Sequence, residues 1–511
     1  MQNSGSGSDA DRSLNTEIVE SLARRGFNAT PDALKAIAES DSPHETVERL
    51  SSRVDGPVVT AHHVADLNGT GTGTGTSSHD PSVSSGEATH GVSPPSRDDD
   101  TTSSRSTSTV SRRPDSERHV SVEDTITGNS TTTGEIDDFV GLFRDRYEKL
   151  SGILRKRLSP RTVESLSSRG GGGDEVELVG MVNDIRSTSS GNTLVIIEDT
   201  TGEMRVLLSD DLSDEAQSLV VDEVVGVRGR LSDDAGIVFA DSLHYPDVPP
   251  RRQPNTADLD RDVKAALISD IHFGSDAFLR DKWDAFTDWL HSQPEIEYVL
   301  VAGDLVEGVG VYPGQDDELT TVDLYEQYED CADGLRQIPD DIDVITIPGN
   351  HDSVRLAEPQ PALPDEFREP FAENVEFYGN PSTVDLEGVK VLMYHGMSLN
   401  PFVEKTPGAE IESPETAMIP IIKKRHLAPM YGDVRLSPET TDHLVIDEIP
   451  DILHAGHVHT VGVDRYNSVT LLNSGAWQGQ TEYQKSMNIQ PDPGIAPIID
   501  LNSLEVTLRQ F

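Results

Sequence analysis

The sequence predicts a multidomain α/β protein in which a C-terminal domain of alternating strands and helices follows a small β-barrel, a disordered linker and a helical N-terminal unit. Three observations carry this expectation. After residue 262, five apolar runs each end in a cluster of metal-competent side chains. Between 174 and 250, short alternating segments recur. From 54 to 134 the composition shifts to Ser, Thr, Gly, Asp and Pro, with almost nothing to bury.

The N-terminal unit, 1–53, reads as three helices. Ile18, Val19 and Leu22 give an apolar pattern that stops at Gly26. Thr30-Pro31 and Ser42-Pro43 each place a cap before a proline at the first helical position, and Ser42 with Glu45 makes a capping box. The linker includes a Gly-Thr repeat from Gly69 to Thr76. A helical connector, 135–173, follows, with Ile136, Phe139, Leu142, Phe143 and Tyr147 on a helical period and Gly170 to Gly173 at its end. The segments Val176–Val182, Thr193–Glu198, Met204–Leu208, Val224–Arg230 and Ile237–Leu243 then predict five strands of a closed barrel of oligonucleotide-binding (OB) type over 174–250.

Of 511 residues, 90 are Asp or Glu and 41 are Lys or Arg, a net charge of −49, and only 10 of the 41 bases are Lys. The acid is spread along the whole chain, motif-rich strands included, which favours work in concentrated salt, where screening falls to about 3 Å near 1 M, over wholesale disorder. Sparse Lys with abundant Asp resembles haloarchaeal composition. Under such screening a negative chain does not exclude a nucleic-acid partner, because local Arg contacts suffice. The single Cys331 cannot form an intrachain disulfide and is expected as a buried, inert thiol. With no apolar stretch of about 18 residues and no signal region, no membrane association is expected, and the chain is expected to be soluble and cytoplasmic.

In the C-terminal domain, 262–511, Ala265–Ser269 runs into Asp270-Ile271-His272, and Tyr298–Ala302 into Gly303-Asp304. Val344–Pro348 leads to Gly349-Asn350-His351-Asp352, Val389–Tyr394 to His395-Gly396, and Ile452–Ala455 to Gly456-His457-Val458-His459. In α/β sheets ligands gather outside the carboxyl ends of strands, so these clusters converge. Extended backbone would point residues i and i+2 the same way, letting Asp270 with His272, and His457 with His459, each face one ion. Imidazole, carboxylate and amide donors suit Mn, Fe or Zn better than Ca; two ions, Mn²⁺ expected, would be shared through Asp304, the only single acid among the clusters. Two ions about 3.5–4 Å apart clamp a phosphate and activate a water, which makes the expected reaction phosphoester hydrolysis.

These five motifs, in order and complete, resemble those of the calcineurin-like metallophosphoesterases, whose fold is an α/β sandwich. The resemblance implies one ion on Asp270, His272, Asp304 and His459, and the other on Asp304, Asn350, His395 and His457. It also implies catalytic roles for His351, which contacts the phosphate or protonates the leaving oxygen, and for Asp352, which orients it. The order of N-terminal helices, linker, barrel and phosphoesterase, with Lys423-Lys424-Arg425-His426-Leu427-Ala428-Pro429 before the last histidines, is similar to the small subunits of archaeal family D DNA polymerases. That implies a 3′→5′ proofreading exonuclease acting on single-stranded or mispaired 3′ ends of DNA, partnered by a large polymerising subunit.

Two alternatives stay open: a stand-alone phosphoesterase or nuclease, and a non-catalytic scaffold subunit, which the filled ligand positions disfavour. Each motif alone is more often an ordinary polar loop, and only their conjunction is specific. His291, His426, His443 and His454 fall outside the motifs and default to surface or packing roles, His426 with an equal chance of an exposed loop or a phosphate contact. Glu307 has no special claim in an acid-rich chain, and Trp477 reads as core before it reads as a base-stacking platform.

Overall fold

The computed structural model describes residues 136–511 except 169–172, 190, 313 and 487, the segment 118–129 with Arg112, and scattered positions between Ile18 and Leu67. Most of the expected linker and of the glycine run lies outside the described residues.

Helices Pro31–Ala38 and Pro43–Ser51 start at the two expected prolines. Of the expected first helix Ile18, Ser21 and Leu22 are described as helical and Arg25 as a turn, with Ile18 and Leu22 buried against Ala33, Ile37, Val47 and Leu50. The unit does not end at 53. Val58–Val59 pairs in parallel with Asn28–Ala29, and Val59, Val64 and Leu67 join the same core. Two β-branched residues suffice for this pairing, too few to stand out against polar surroundings.

A second departure lies at the far end of the expected linker. Val120–Glu123 is a strand, paired antiparallel with Ser382–Leu386 so that Val120 faces Leu386 and Val122 faces Val384. Upstream, Arg112 is buried and donates to the carbonyls of Leu290, Ile296 and Gln293 and to Asp341.

The helix Ile136–Leu154 buries Leu142, Tyr147, Leu150 and Leu154, then leads to a closed barrel of five strands, Glu175–Ser187, Thr193–Asp199, Gly202–Leu208, Val224–Leu231 and Ile237–His244. Alternation sends Val195, Ile197, Met204, Val206 and Val227 inward. Val163 and Leu166, on the short helix capped by Thr162, join that core.

The C-terminal domain has two six-stranded sheets. One runs Val375–Phe377, Asp343–Ile347, Ile296–Ala302, Lys264–Ile268, Ile495–Asp500, Val506–Gln510; the other runs Gly462–Tyr466, Val469–Asn473, Ile452–Ala455, Val389–Met393, Ser382–Leu386, Val120–Glu123. Ala265, Leu267, Tyr298 and Leu300 meet Val384, Val391, Met393 and Ile452 between the sheets. The outer faces are covered by helices, Trp283, Phe286 and Leu290 on one side and Met418, Ile421 and Ile422 on the other. This is the expected α/β sandwich, its central strands buried on both faces and hence nearly continuous in apolar residues.

The basic run before the last histidines is neither an exposed loop nor a phosphate contact, because it is walled in between barrel and sandwich. Lys424 Nζ donates to Glu223 Oε2 at 2.7 Å and to the Ser218 carbonyl at 2.8 Å. His426 Nε2 and Arg146 Nε both reach Asp442 Oδ2, at 2.9 and 2.7 Å, with all three side chains buried. Buried charges must be paired to be tolerated, and here each is.

Candidate metal centre

The carboxyl ends of strands from both sheets meet at one point. Asp270 and His272 follow Lys264–Ile268, Asp304 follows Ile296–Ala302, and Asn350 follows Asp343–Ile347. His395 follows Val389–Met393, and His457 and His459 follow Ile452–Ala455. All seven expected ligands therefore converge.

They do so by a local geometry different from the expected one. Asp270 (φ 52°), His272 (59°), Asp304 (53°), His457 (72°) and His459 (61°) are left-handed rather than extended. Such a conformation costs a non-glycine residue on the order of 1 kcal/mol, a strain typical of sites where function fixes the backbone. The turns send His457 and His459 apart: His459 groups with Asp270 and His272, while His457 groups with Asp304 and His395. The expectation that this pair shares one ion is thereby corrected.

In the first group His272 Nε2 and His459 Nε2 are 3.1 Å apart, and His459 Nε2 is 3.3 Å from Asp270 Oδ1. Asp270 Oδ2 accepts from the Ser269 hydroxyl and the His457 N–H, leaving the buried Oδ1 with no hydrogen-bond partner. In the second group His395 Nε2 lies 3.0 Å from Asn350 Oδ1, 3.3 Å from His457 Nδ1 and 3.3 Å from Asp304 Oδ2. Asp304 Oδ1 is taken by the His351 N–H at 2.8 Å, so Oδ2 alone faces both groups, 3.8 Å from His272 Nε2.

Donor atoms roughly 3 Å apart are spaced as neighbouring ligands about 2.1 Å from one ion. A buried carboxylate oxygen with no proton to accept, and imidazole nitrogens aimed at each other, are what a cation reconciles. The residues fit two divalent ions.

Close backbone approach makes this possible. A Cβ on Gly349 would sit 2.2 Å from Asp304 Oδ1, and one on Gly303 (φ 92°) 2.4 Å from His395 Nδ1. Only hydrogen fits at either place.

Electrostatics follow from packing acids among imidazoles. Burial alone would raise the Asp304 carboxyl, but His395, His351 and His272 outweigh it and hold it well below the carboxylate range. Burial would lower His395, yet Asp304 and Asp270 lift it to about 10. Burial, reinforced by His395, takes His457 to about 3.

His351 donates from Nδ1 to the Glu307 carbonyl at 2.7 Å, which leaves Nε2 for the centre. Asp352 does not orient this ring, contrary to expectation. It is fully buried and accepts from the Leu305 and Gly349 N–H groups at 3.1 and 2.8 Å, so it braces the loops carrying Asp304 and Asn350. Asn350, His351 and His457 are partly exposed, whereas Asp270, His272, Asp304, His395 and His459 are buried, so the site opens on the side of the first three.

Glu307, which has no special claim in so acid-rich a chain, is 1% exposed, with Oε2 2.9 Å from His272 Nδ1. Asn400 is another omission, its Nδ2 3.3 Å from His457 Nε2 at the open side. Trp477 is core, packed on Trp283 and Phe286, and its backbone N–H donates to the Asp270 carbonyl at 2.9 Å. Cys331 is buried in the same core.

The calcineurin-like phosphoesterase family matches residues 263–461, and the OB-fold nucleic acid binding domain family matches residues 176–241. A protein of Halobacterium salinarum named DNA polymerase II small subunit is 45% identical over 97% of this chain and 98% of its own length. Proteins of the same name from Archaeoglobus fulgidus and Pyrococcus furiosus are 40% and 38% identical, over 76% and 73% of this chain and 80% and 63% of their own lengths. The phosphoesterase fold implies divalent metal ions and a phosphodiesterase type of hydrolysis. Among the described residues, no helix is long and apolar enough to cross a membrane.

Proposed function

Because this chain belongs to the DNA polymerase II small subunit family, we propose that its centre is a 3′→5′ exodeoxyribonuclease that trims mispaired ends for a large polymerising subunit. The observation that carries the reading is the two donor groups meeting at Asp304 Oδ2. Asp270, His272, Asp304 and His459 would hold one ion, and Asp304, Asn350, His395 and His457 the other, with Mn²⁺ as the expected metal. When bound, the ions supply Lewis acidity toward phosphate oxygens and lower the pKa of a water.

The chain's own residues do the rest. His395 and His351 each donate Nδ1–H to a backbone carbonyl, of Ala302 at 2.8 Å and Glu307 at 2.7 Å, which fixes their tautomers and aims Nε2 inward. A protonated His351 Nε2 would give its proton to the 3′ oxygen as the terminal phosphodiester breaks, water adding to phosphorus and a nucleoside 5′-monophosphate leaving. The half-open side at Asn350, His351 and His457 admits a strand end while the buried ligands exclude bulk water. The OB barrel supports DNA or large-subunit contact by its type, and the acidic, Lys-poor composition supports work in concentrated salt.

The test is digestion of end-labelled single-stranded and mismatched DNA with Mn²⁺, with and without the large subunit. Loss of nucleotides from the 3′ end, abolished in Asp304→Ala, is expected. No digestion under either condition favours the scaffold reading, and digestion independent of a 3′ end favours a stand-alone phosphoesterase.

A further inference from the structure

We infer that Glu307 is a positioning residue that fixes two histidines at once, tuning the Asp270, His272 and His459 ion site and not its neighbour. The inference rests on the two-ion reading above.

Glu307 leaves the strand-end loop three residues after Asp304 and turns its side chain into the protein. Its Oε2 sits 2.9 Å from His272 Nδ1, the nitrogen turned away from the centre, although the ring N–H is off line for an ideal hydrogen bond. Its backbone carbonyl accepts from His351 Nδ1 at 2.7 Å. The rings of His272 and His351 consequently meet edge to face, centroids 4.8 Å apart.

A buried carboxylate is costly unless its oxygens are satisfied. Gln478 Nε2 donates to Oε2 at 2.7 Å, and Gln315 Nε2 and the Tyr312 hydroxyl donate to Oε1 at 3.0 and 3.2 Å. These three donors aim the carboxylate as well as satisfy it.

A carboxylate behind a ligating histidine fixes its tautomer and strengthens it as a donor, and losing such a partner costs about 10–100-fold in metal affinity. The other centre is built differently. There the backing group of His395 is the neutral Ala302 carbonyl. The two ion sites are therefore unequal by construction, one backed by a charge and one by a dipole.

The test is Mn²⁺ titration of the full chain by calorimetry and electron paramagnetic resonance, with melting in chelator as a check on folding. Wild type should take up two ions. Glu307→Gln should weaken one of them about 10–100-fold, leave the other within about twofold, and melt in chelator like wild type. If Glu307→Gln fails to fold, Gln478→Ala, which keeps the carboxylate but removes the amide that aims it, should weaken the same ion by a smaller factor. Two unchanged affinities in the folded variant, or equal loss at both sites, overturn the inference. Failure of wild type to take up two ions overturns the two-ion reading, and this inference with it.

Discussion

His272 and His459 point their Nε2 atoms at each other across 3.1 Å, 187 residues apart in sequence. Neutral imidazoles gain little from this approach. Chelation should accordingly lower the melting temperature, and Mn²⁺ at about 100 times its dissociation constant should stabilise the fold by about 2.7 kcal/mol per ion. Differential scanning calorimetry with and without chelator checks this; an unchanged transition would count against a metal centre here.

Gly349→Ala places a methyl 2.2 Å from Asp304 Oδ1 and 2.7 Å from His395 Cε1. A displacement near 1 Å can cost about 100-fold in rate, so hydrolysis should fall by at least that factor. Ala at Gly388, where a Cβ meets nothing within 4 Å but φ is 89°, should cost stability and leave turnover per folded molecule unchanged.

Lys424 and Glu223 bind the sandwich to the barrel across 2.7 Å, both side chains at most 2% exposed. Glu223→Ala strands a buried ammonium and should destabilise by about 3–5 kcal/mol in urea titrations, whereas Glu223→Leu combined with Lys424→Met should recover most of that loss. Equal losses in the single and double variants would contradict a paired origin.

Acid should loosen the same interface. Burial, helped by Arg146, takes His426 down to about 4, from about 6.5 in an unfolded chain. A depressed histidine is fully stabilising above its unfolded pKa, and that contribution is lost as pH falls from about 6.5 toward 4, at up to about 1.4 kcal/mol per pH unit. Burial opposes the Asp442 carboxylate, but Arg146 and His426 hold it far below its ordinary value; its share disappears only below about pH 4. In chelator, His426→Gln should flatten the stability profile between pH 6.5 and 4 relative to wild type, as read by urea midpoints.

The candidate ligands were legible because each follows an apolar run, and a strand end is a place that sequence can mark. The separation of His457 from His459 follows from the resemblance but not from the strand pattern, since it depends on left-handed turns at both, which non-glycine residues adopt only when surroundings force them. Glu307 looks like any acid in a chain holding 90 of them, and its importance comes from His272 and Gln478, brought in by other strands. The run from Lys423 to His426 reads as a basic surface because its buried partners, Glu223 and Asp442, lie elsewhere in the sequence. The resemblance put Asp352 beside the His351 ring, but the chain turns so that its carboxylate reaches Leu305 and Gly349 instead.

The sixth strand of the second sheet, Val120–Glu123, comes from before the barrel and closes a sheet whose other strands come after it. The phosphoesterase domain is thus threaded, the barrel being an insertion between its first strand and the remainder. A fragment starting at 262 would expose the backbone of Ser382–Leu386 as a bare edge and leave the carbonyls of Leu290 and Ile296 without Arg112. Open edges invite intermolecular pairing, so that fragment should aggregate, and one that also retains 112–129 through the barrel should not. During synthesis the same threading means that Val120–Glu123 waits until Ser382–Leu386 has been made, with a complete barrel formed in the interval.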